Sequence, residues 1–600
     1  MSVAPWIKSY PRGVRWDAEL TTMPVQQILE RSAAKWPDNP ALDFMNKKIL
    51  YRELDDLANR AAKGFQKLGV RPGVHVGLYL PNTPHYIIAF FGVMKAGGTV
   101  VNYSPLDAEK VLEHKVDDSE TDILVTLDLK ALYPQMGRLL GTTRLKTLVV
   151  GNVAEMTSAP EAVRAQMSHN GETVTVPKDG RHVTFDEFLS NDGEYVAFPI
   201  ADLRESVAVL QYTGGTTGLP KGAMLTHANL SSATAQYVET THTQPQLLDE
   251  GHERILAVLP PFHIYALTVN MLMGLRIGAE LILHTRFDTA AVVKDISEKK
   301  VTVFPGVPTM YVAIINYPGV ENIDLSSIKW CASGGAPLPL EVQKRFQDIS
   351  GCRLAEGWGM TETSPTGTFT PLEGEVKPGS CGIPIPGITI KFADVDDPSR
   401  YVGLGEKGEI CIGGPNVMKG YWKRADATKE TMTKDGFLRT GDVGYMDEDG
   451  YVFIVDRTKD MLLCGGFNVY PRIIEEAIYQ HPGVEEVIVI GIDDDYRGQS
   501  PKAFVKLKTN SSAVTLDQLK DFLKDKLGKH EMINALEIRD ALPRTAVGKL
   551  SKKELRRGGR KTRCSKKMNS EELPRTERFP RPRACVHRHQ CVTLLLEPTL

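Results

Sequence analysis

The chain has 600 residues, more than one hydrophobic core usually supports, so we expect two or more domains. Hydrophobic residues make up 42% of the chain and charged residues 24%, values typical of a folded globular protein. The formal net charge of -2 excludes a polyanion-binding surface spread over the whole molecule, so nucleic acid is not an expected partner.

No basic segment followed by an apolar run opens the chain, so no signal peptide is predicted. The longest apolar stretches, residues 85–101 and 255–284, are interrupted by charged residues or prolines, which favours buried core over membrane spans. Eight cysteines occur singly, as is typical of reduced thiols in a cytoplasmic protein. We expect a cytoplasmic location, with peripheral contact at the inner face of the membrane left open.

Strand-like and helix-like patterns alternate through most of the chain before residue 450. They predict strands at 74–79, 123–127, 148–150 and 207–212, and helices at 25–36 and 85–95. A helix is also expected over 227–240. Such alternation is typical of an α/β fold with parallel-rich sheets covered by helices.

The pattern changes after Arg439, where glycine- and aspartate-rich turns lead into a strand-like segment at 451–455. A helix at 471–480, strands at 487–490 and 503–507, and a capping box of Thr515 and Gln518 follow. We predict an N-terminal domain over 1–455, a hinge over 456–460 and a small mobile α+β domain over 461–557. Residues 558–600 are basic and lack apolar periodicity, so we expect a disordered, atypical tail.

One loop after a predicted strand has the composition of a phosphate site: Tyr212-Thr-Gly-Gly-Thr-Thr-Gly-Leu-Pro-Lys-Gly222. Its glycines let successive backbone N–H groups turn toward an anion, and its threonines and lysine add donors: Thr213, Gly214, Gly215, Thr216, Thr217, Gly218 and Lys221. A plain Gly/Thr linker is the alternative. Since Gly222 follows the lysine, the loop lacks the GK[ST] of P-loop nucleotide hydrolases.

Further motifs follow in a fixed order, and with the loop they resemble those of adenylate-forming enzymes, most closely the bacterial long-chain fatty-acid–CoA ligases. They are Pro260-Pro-Phe-His-Ile-Tyr265, Ser333-Gly-Gly-Ala-Pro337, Gly357-Trp-Gly-Met-Thr-Glu-Thr363, Arg439-Thr-Gly-Asp442, Asp456-Arg-Thr-Lys-Asp460, Gly465-Gly-Phe-Asn-Val-Tyr-Pro471 and Pro543-Arg-Thr-Ala-Val-Gly-Lys549. The resemblance covers roughly residues 21–557. It implies a large AMP-binding domain with a β-subdomain, followed by a small lid domain.

The resemblance also implies a reaction: ATP, a carboxylic acid and coenzyme A give acyl-CoA, AMP and diphosphate through an acyl adenylate. Phosphate charge repels the attacking carboxylate, so the chemistry needs cations and N–H donors around the α-phosphate. ATP and coenzyme A are therefore expected as cosubstrates and Mg²⁺ as the metal ion. The small domain is expected to rotate about the hinge between the two half-reactions.

The resemblance implies roles for particular residues of these motifs. The expected catalytic residues are Lys549, Thr361, Glu362 and His263, and the expected metal ligands are Glu362 and Thr217. Beyond the phosphate loop, the expected nucleotide- and CoA-binding residues are Gly335, Ala336, Pro337, Gly357, Trp358, Gly359, Asp442, Arg457, Lys459, Gly465 and Gly466.

The acid is less well defined than the reaction. Apolar residues near the motifs suggest an apolar tunnel: Ile264, Leu267, Val307, Met310 and Trp358. Fatty acids rank first, with dicarboxylic and aromatic acids as alternatives in the same family. A non-catalytic acyl- or adenylate-binding protein is the alternative from another class, and a homodimer is left open.

Overall fold

The computed structural model describes residues 4–213, 220–464, 467–494, 496–509, 511–544, 550–552 and 554–556. The chain divides into two compact units, with the division between Lys459 and Asp460. The predicted tail falls outside the described residues.

The first unit holds the strands β1 to β21. In chain order they are β1 (Pro40–Phe44), β2 (Lys47–Leu50), β3 (His75–Leu78), β4 (Thr99–Asn102), β5 (Thr121–Leu127), β6 (Thr147–Gly151), β7 (His182–Thr184), β8 (Val207–Thr213), β9 (Lys221–Thr226), β10 (Arg254–Ala257), β11 (Glu280–Leu283), β12 (Val303–Gly306), β13 (Trp330–Ser333), β14 (Leu354–Gly359), β15 (Thr366–Phe369), β16 (Ile383–Pro384), β17 (Thr389–Ala393), β18 (Gly408–Gly413), β19 (Gly420–Tyr421), β20 (Leu438–Met446) and β21 (Val452–Arg457).

Helices of the first unit lie among these strands. They are α1 (Gln26–Lys35), α2 (Tyr51–Lys67), α3 (Pro84–Lys95), α4 (Glu109–Asp118), α5 (Tyr133–Thr142), α6 (Pro160–His169), α7 (Phe185–Leu189), α8 (His227–Thr240), α9 (Gly274–Arg276), α10 (Thr289–Lys299), α11 (Pro308–Ile315), α12 (Leu340–Ser350) and α13 (Ala425–Thr431). Short 3₁₀ helices span Pro5–Ser9, Val153–Met156, Val320–Asn322 and Thr361–Thr363, and a π-helix spans Ala266–Met273.

Each of the two large sheets has a parallel centre and at least one antiparallel edge. The eight-stranded sheet runs β19-β9-β8-β4-β3-β5-β6-β7, and only β9 and β19 are antiparallel to their neighbours. The nine-stranded sheet runs β16-β15-β14-β13-β12-β10-β11-β1-β2, with the parallel part between β14 and β1. The α/β class predicted from the alternating pattern is confirmed.

Helix α3 shows why the apolar stretch at 85–101 belongs to the core. All of its residues are buried, including Lys95, which donates to Asp55 Oδ1 at 2.8 Å. A Cβ atom on Gly92 would lie 2.5 Å from Ala61 Cβ, so glycine allows α3 to pack closely on α2. No helix among the residues that the structure describes has both the length and the apolar composition to cross a bilayer.

An antiparallel sheet completes the first unit, in the order β17-β18-β20-β21. Strand β21 continues to Arg457, which pairs with Asp442 of β20. Two residues of the predicted hinge segment, Asp456 and Arg457, are thus part of this sheet.

The second unit has its own five-stranded sheet and two described helices. The strands are β22 (Leu462–Cys464), β23 (Phe467–Val469), β24 (Val484–Asp494), β25 (Gly498–Leu507) and β26 (Ala535–Ile538), and the helices are α14 (Pro471–Tyr479) and α15 (Leu516–Leu523). The predicted capping box is present, with Thr515 Oγ1 accepting from Gln518 N at 3.3 Å and Gln518 Oε1 accepting from Thr515 N at 2.9 Å.

We expect Thr515→Ala to destabilise helix α15, because its first turn loses an acceptor for an otherwise unpaired N–H. The loss should be about 1 kcal/mol of local stability. Hydrogen exchange of the α15 amides measures it, and Thr509→Ala, in the exposed loop before the helix, is the matched control. Equal exchange in both variants would contradict the capping role.

Candidate functional site

The phosphate loop lies in a β-hairpin of the first unit. Strand β8 ends at Thr213, which pairs with Lys221 at the start of the antiparallel strand β9, and α8 follows β9 directly. The sequence pattern predicted the first strand and α8 but not β9. The loop residues Gly214, Gly215, Thr216, Thr217 and Gly218 fall outside the described residues.

The entry to this hairpin is anchored from two other elements. The hydroxyl of Tyr212 donates to Asp118 Oδ2 at 2.7 Å, and Arg424 donates to Asp118 Oδ1 at 2.8 Å. The indole of Trp422 donates to the Asp118 carbonyl at 2.9 Å. Burial, with the neighbouring Asp118 carboxylate, raises the pKa of Tyr212, so this hydroxyl keeps its proton and remains a donor. The sequence did not identify Asp118 or Arg424, because they belong to none of the motifs.

Glu362 is a buried carboxylate beside the hairpin. It lies in the short helix Thr361–Thr363, with 5% of the residue exposed, and its Oε1 accepts from the Tyr421 hydroxyl at 2.6 Å. Burial raises the pKa of Glu362, while the Tyr421 hydrogen bond and the charges of Arg457 and Lys221 act in the opposite direction.

Tyr421 joins Glu362 to the phosphate hairpin. Its strand, β19, pairs with β9, and the Nζ atom of Lys221 lies 5.0 Å from the Tyr421 ring centroid. Lys221 itself is exposed, so its charge is available to a ligand. The sequence did not identify Tyr421 either, because a tyrosine is uncharged and this one has no spacing typical of metal ligands.

These donors fit a magnesium ion. Mg²⁺ takes one or two carboxylates and completes its shell with water and phosphate oxygens. Glu362 supplies a carboxylate with one oxygen engaged by Tyr421, next to a hairpin that carries Lys221. The second expected ligand, Thr217, falls outside the described residues.

A second carboxylate, Asp442, is held by two side chains. Trp358 Nε1 donates to its Oδ2 at 2.9 Å, and Arg457 Nε lies 2.9 Å from its Oδ1. Only 5% of Asp442 is exposed. The structure therefore brings together three residues that the sequence placed in separate motifs.

The glycines around Trp358 permit close backbone approach. A Cβ atom on Gly359 would lie 1.8 Å from the Pro365 carbonyl oxygen, and one on Gly357 would lie 3.0 Å from the Phe369 ring. Met360 N donates to that same Pro365 oxygen at 2.8 Å. The tight turn places Thr361, half-buried, directly after β14.

The predicted adenine-side loop follows β13. Gly335 has φ of +82°, a left-handed conformation that favours glycine, and is exposed together with Pro337, while Ala336 is half-buried. Tyr265 packs against this loop, since a Cβ atom on Gly334 would lie 3.0 Å from the Tyr265 ring. The Tyr265 hydroxyl donates to the Ala332 carbonyl at 2.9 Å.

His263 is half-buried at the start of the segment that leads into the π-helix. Its Nδ1 accepts from the Tyr265 backbone N–H at 3.3 Å. In the neutral imidazole the ring proton then lies on Nε2. This geometry fits a residue that positions neighbouring groups.

Lys459, the last residue of the first unit, is exposed. In the second unit, strands β22 and β23 pair on either side of residues 465 and 466. Gly465, Gly466 and Lys549 fall outside the described residues, so their roles stay predictions.

Comparison with known proteins gives the family. The protein-family model described as AMP-binding enzyme matches residues 29–422. The family model described as AMP-binding enzyme C-terminal domain matches residues 473–549. The chain belongs to the AMP-binding enzyme family. The resemblance inferred from the motifs is thereby confirmed.

Relatives match almost the whole chain. A long-chain-fatty-acid–CoA ligase of Bacillus subtilis (strain 168) is 37% identical over 556 residues, covering 92% of this chain and 98% of the relative. The structure is similar to ATP-bound MatB from Rhodopseudomonas palustris, with a TM-score of 0.77, 26% identity and coverage of 89% and 99%. It is also similar to the anthranilate CoA ligase AuaEII in complex with anthranoyl-AMP, with a TM-score of 0.78, 25% identity and coverage of 91% and 99%.

We expect Tyr421→Phe to destabilise the first unit by about 1–3 kcal/mol, because the buried Glu362 carboxylate loses its donor. The folded pKa of Glu362 is raised and the hydroxyl opposes that rise, so its removal raises the pKa further. The loss of stability should therefore be largest above that pKa and shrink as falling pH protonates Glu362.

Urea unfolding at a series of pH values, followed by tryptophan fluorescence, measures this effect. All six tryptophans lie in the first unit, so the signal reports that unit. Tyr317→Phe is the control, because Tyr317 is partly buried against a separate hydrophobic cluster of the first unit that includes Phe304 and Ile314. If the loss of stability were the same at pH 8 and at the lowest pH measured, it would not depend on the charge of Glu362, and the prediction would be wrong.

Proposed function

We propose that this protein is an AMP-forming fatty-acid–CoA ligase that converts ATP, a fatty acid and coenzyme A into acyl-CoA, AMP and diphosphate. The observation that carries the proposal is the buried Glu362 carboxylate, flanked by Lys221 and Arg457 beside Asp442, in a chain of the AMP-binding enzyme family. Dicarboxylic or aromatic acids are the alternatives within the family.

In the nucleotide site, Thr213 and Lys221 frame the hairpin loop that takes the phosphates, and Glu362 holds the metal ion. Two observations support this: the Thr213–Lys221 strand pairing and the contact of Lys221 with Tyr421, the residue that fixes Glu362. Asp442 accepts from the ribose hydroxyls. The loop of Gly335, Ala336 and Pro337 and the Gly357–Gly359 turn flank the adenine.

In the first half-reaction a carboxylate oxygen of the acid attacks the α-phosphorus, and the bond from that phosphorus to the bridging oxygen breaks. Diphosphate leaves with the bonding pair. Lys221 stabilises its charge, while Thr361 and Lys549 donate to the α-phosphate and carboxylate oxygens. Mg²⁺, when bound, neutralises phosphate charge.

In the second half-reaction the thiol sulfur of coenzyme A attacks the acyl carbon, and the bond from that carbon to the phosphate oxygen breaks. AMP leaves with the bonding pair, and the thiol proton is released to solvent. Lys459 serves as the pivot that withdraws Lys549 and brings Gly465 and Gly466 to the pantetheine arm. The division of the chain between Lys459 and Asp460 supports this assignment. His263 positions groups between the acyl and thiol sites.

An apolar acid is favoured by the segment after His263. The π-helix Ala266–Met273 is wholly buried and consists mainly of apolar residues. The high identity to a relative named as a long-chain-fatty-acid–CoA ligase supports the same class.

A non-catalytic binding protein is the competing class. Such a protein would not need the complete set of Glu362, Asp442 and Lys549, all of which the sequence retains. Contact with the membrane surface and a homodimer stay predictions.

The purified protein should release diphosphate from ATP only when a fatty acid and Mg²⁺ are both present. A coupled diphosphate assay measures this, and omission of the acid is the control. Release of ADP and orthophosphate would contradict the ligase assignment. Consumption of coenzyme A across fatty, dicarboxylic and cinnamic acids then ranks the acids, with the fatty acids expected to give the highest kcat/KM.

Lys549→Ala should slow adenylate formation by about a hundredfold to a thousandfold, because one charged donor to the transition state is lost. Thioester formation from preformed acyl-AMP should be nearly unchanged, since that step uses the rotated arrangement. The two half-reactions are measured separately, with Lys552→Ala as a nearby control. An equal loss in both steps would contradict the proposed rotation.

A further inference from the structure

We propose that Trp358 is a positioning residue that orients the Asp442 carboxylate and makes the site select ATP over 2′-deoxy-ATP. The inference rests on the proposed function, in which Asp442 binds the ribose. Trp358 is already expected in the nucleotide site; the added role is that its indole N–H acts on the ribose through the Asp442 carboxylate.

The Asp442 carboxylate has more acceptor positions than its two protein partners use. A carboxylate offers about four lone-pair positions, two on each oxygen. Trp358 occupies one on Oδ2 and Arg457 faces one on Oδ1, each at 2.9 Å. Among the described residues no other donor reaches this carboxylate, so two positions remain, one on each oxygen, which matches the pair of neighbouring hydroxyls of a ribose.

The Asp442 carboxylate has little freedom to turn. Asp442 pairs with Arg457 in the β20–β21 ladder, and its backbone N–H donates to Thr440 Oγ1 at 3.1 Å. Its side chain is buried and joined to a partner at each oxygen. The two open lone pairs therefore have a defined direction.

The Trp358 indole is packed in place and can act only as a donor. Trp358 lies on β14 and its ring packs against the backbone of Gly367, where a Cβ atom would lie 2.8 Å from the ring. An indole N–H can only donate, so Trp358 can bind the carboxylate but cannot compete with it for the ribose hydroxyls.

A fixed acceptor discriminates better than a mobile one. With 2′-deoxy-ATP one oriented lone pair of Asp442 loses its donor in a buried place, and a site built to bind a hydroxyl strongly rejects an analogue without it. Without Trp358 the carboxylate can turn and find another donor, so the penalty against the deoxynucleotide falls.

The test compares Trp358→Phe with the wild-type protein. The variant keeps an aromatic ring but loses the N–H donor. We expect the ratio of kcat/KM for ATP to that for 2′-deoxy-ATP to fall about tenfold, mainly through a higher KM for ATP, as for the loss of one hydrogen bond to a charged group. Titration calorimetry with AMP and 2′-deoxy-AMP, without metal, should show the same fall in the ratio of affinities.

Trp6→Phe is the matched control, because the Trp6 indole N–H has no hydrogen-bond partner among the described residues. It should leave both ratios unchanged. Trp358→His, which keeps a ring N–H, should retain more discrimination than Trp358→Phe and provides a second variant if the phenylalanine variant unfolds.

Asp442→Ala separates the two proposals. If it abolishes discrimination while Trp358→Phe weakens both nucleotides equally, the positioning role is wrong and the ribose role stands. If Asp442→Ala leaves discrimination intact, the ribose assignment itself is wrong. In the Asp442→Ala background, Trp358→Phe should cause no further loss of ATP affinity, and an additional loss would overturn the pathway through Asp442.

Discussion

A carboxylate buried beside the β8–β9 hairpin needs donors and cations around it, and the arrangement of the first unit meets that need. Glu362 is nearly inaccessible to solvent, and burial disfavours its charged form. The hydroxyl of Tyr421 and the charges of Arg457 and Lys221 oppose this effect. The interaction joins the hairpin, the short helix and the β20–β21 ladder into one site.

Strands at the edges of the two large sheets supply several of the site's aromatic side chains. Strand β19 brings Tyr421 to the outer side of β9, and the residues that follow it, Trp422 and Arg424, donate to Asp118, which also accepts from the Tyr212 hydroxyl. The antiparallel strand β15 turns back after Pro365 and packs its glycine backbone under Trp358. An antiparallel strand at one edge of each large sheet thus positions side chains of the site.

Each of the two proposed acidic site residues is held by an aromatic donor from another part of the chain. Tyr421 donates to Glu362, and Trp358 donates to Asp442. A carboxylate with one oxygen already engaged presents its remaining lone pairs in a defined direction, which lowers the entropy lost when a ligand binds. The aromatic donors have few rotatable bonds and are packed in place, so they are suited to this task.

Much of the fold was predictable because it depends on local pattern. The alternation of apolar runs predicted α1, α3, β5 and β8, and the Thr515–Gln518 capping box predicted the start of α15. Strand β9 was missed, since its pairing with β8 is a tertiary contact and its six residues have no clear alternation.

For the site, the sequence by itself determined the set of chemical groups: the glycine and threonine loop with Lys221, the carboxylates Glu362 and Asp442, and the distant Lys549. Their order in the chain was sufficient to indicate the family. Only the tertiary structure decided which side chains serve them. Tyr421 lies 59 residues from Glu362, and Trp358 lies 84 residues from Asp442. Contacts over such separations depend on how strands from different parts of the chain pair and pack, and no local pattern encodes that.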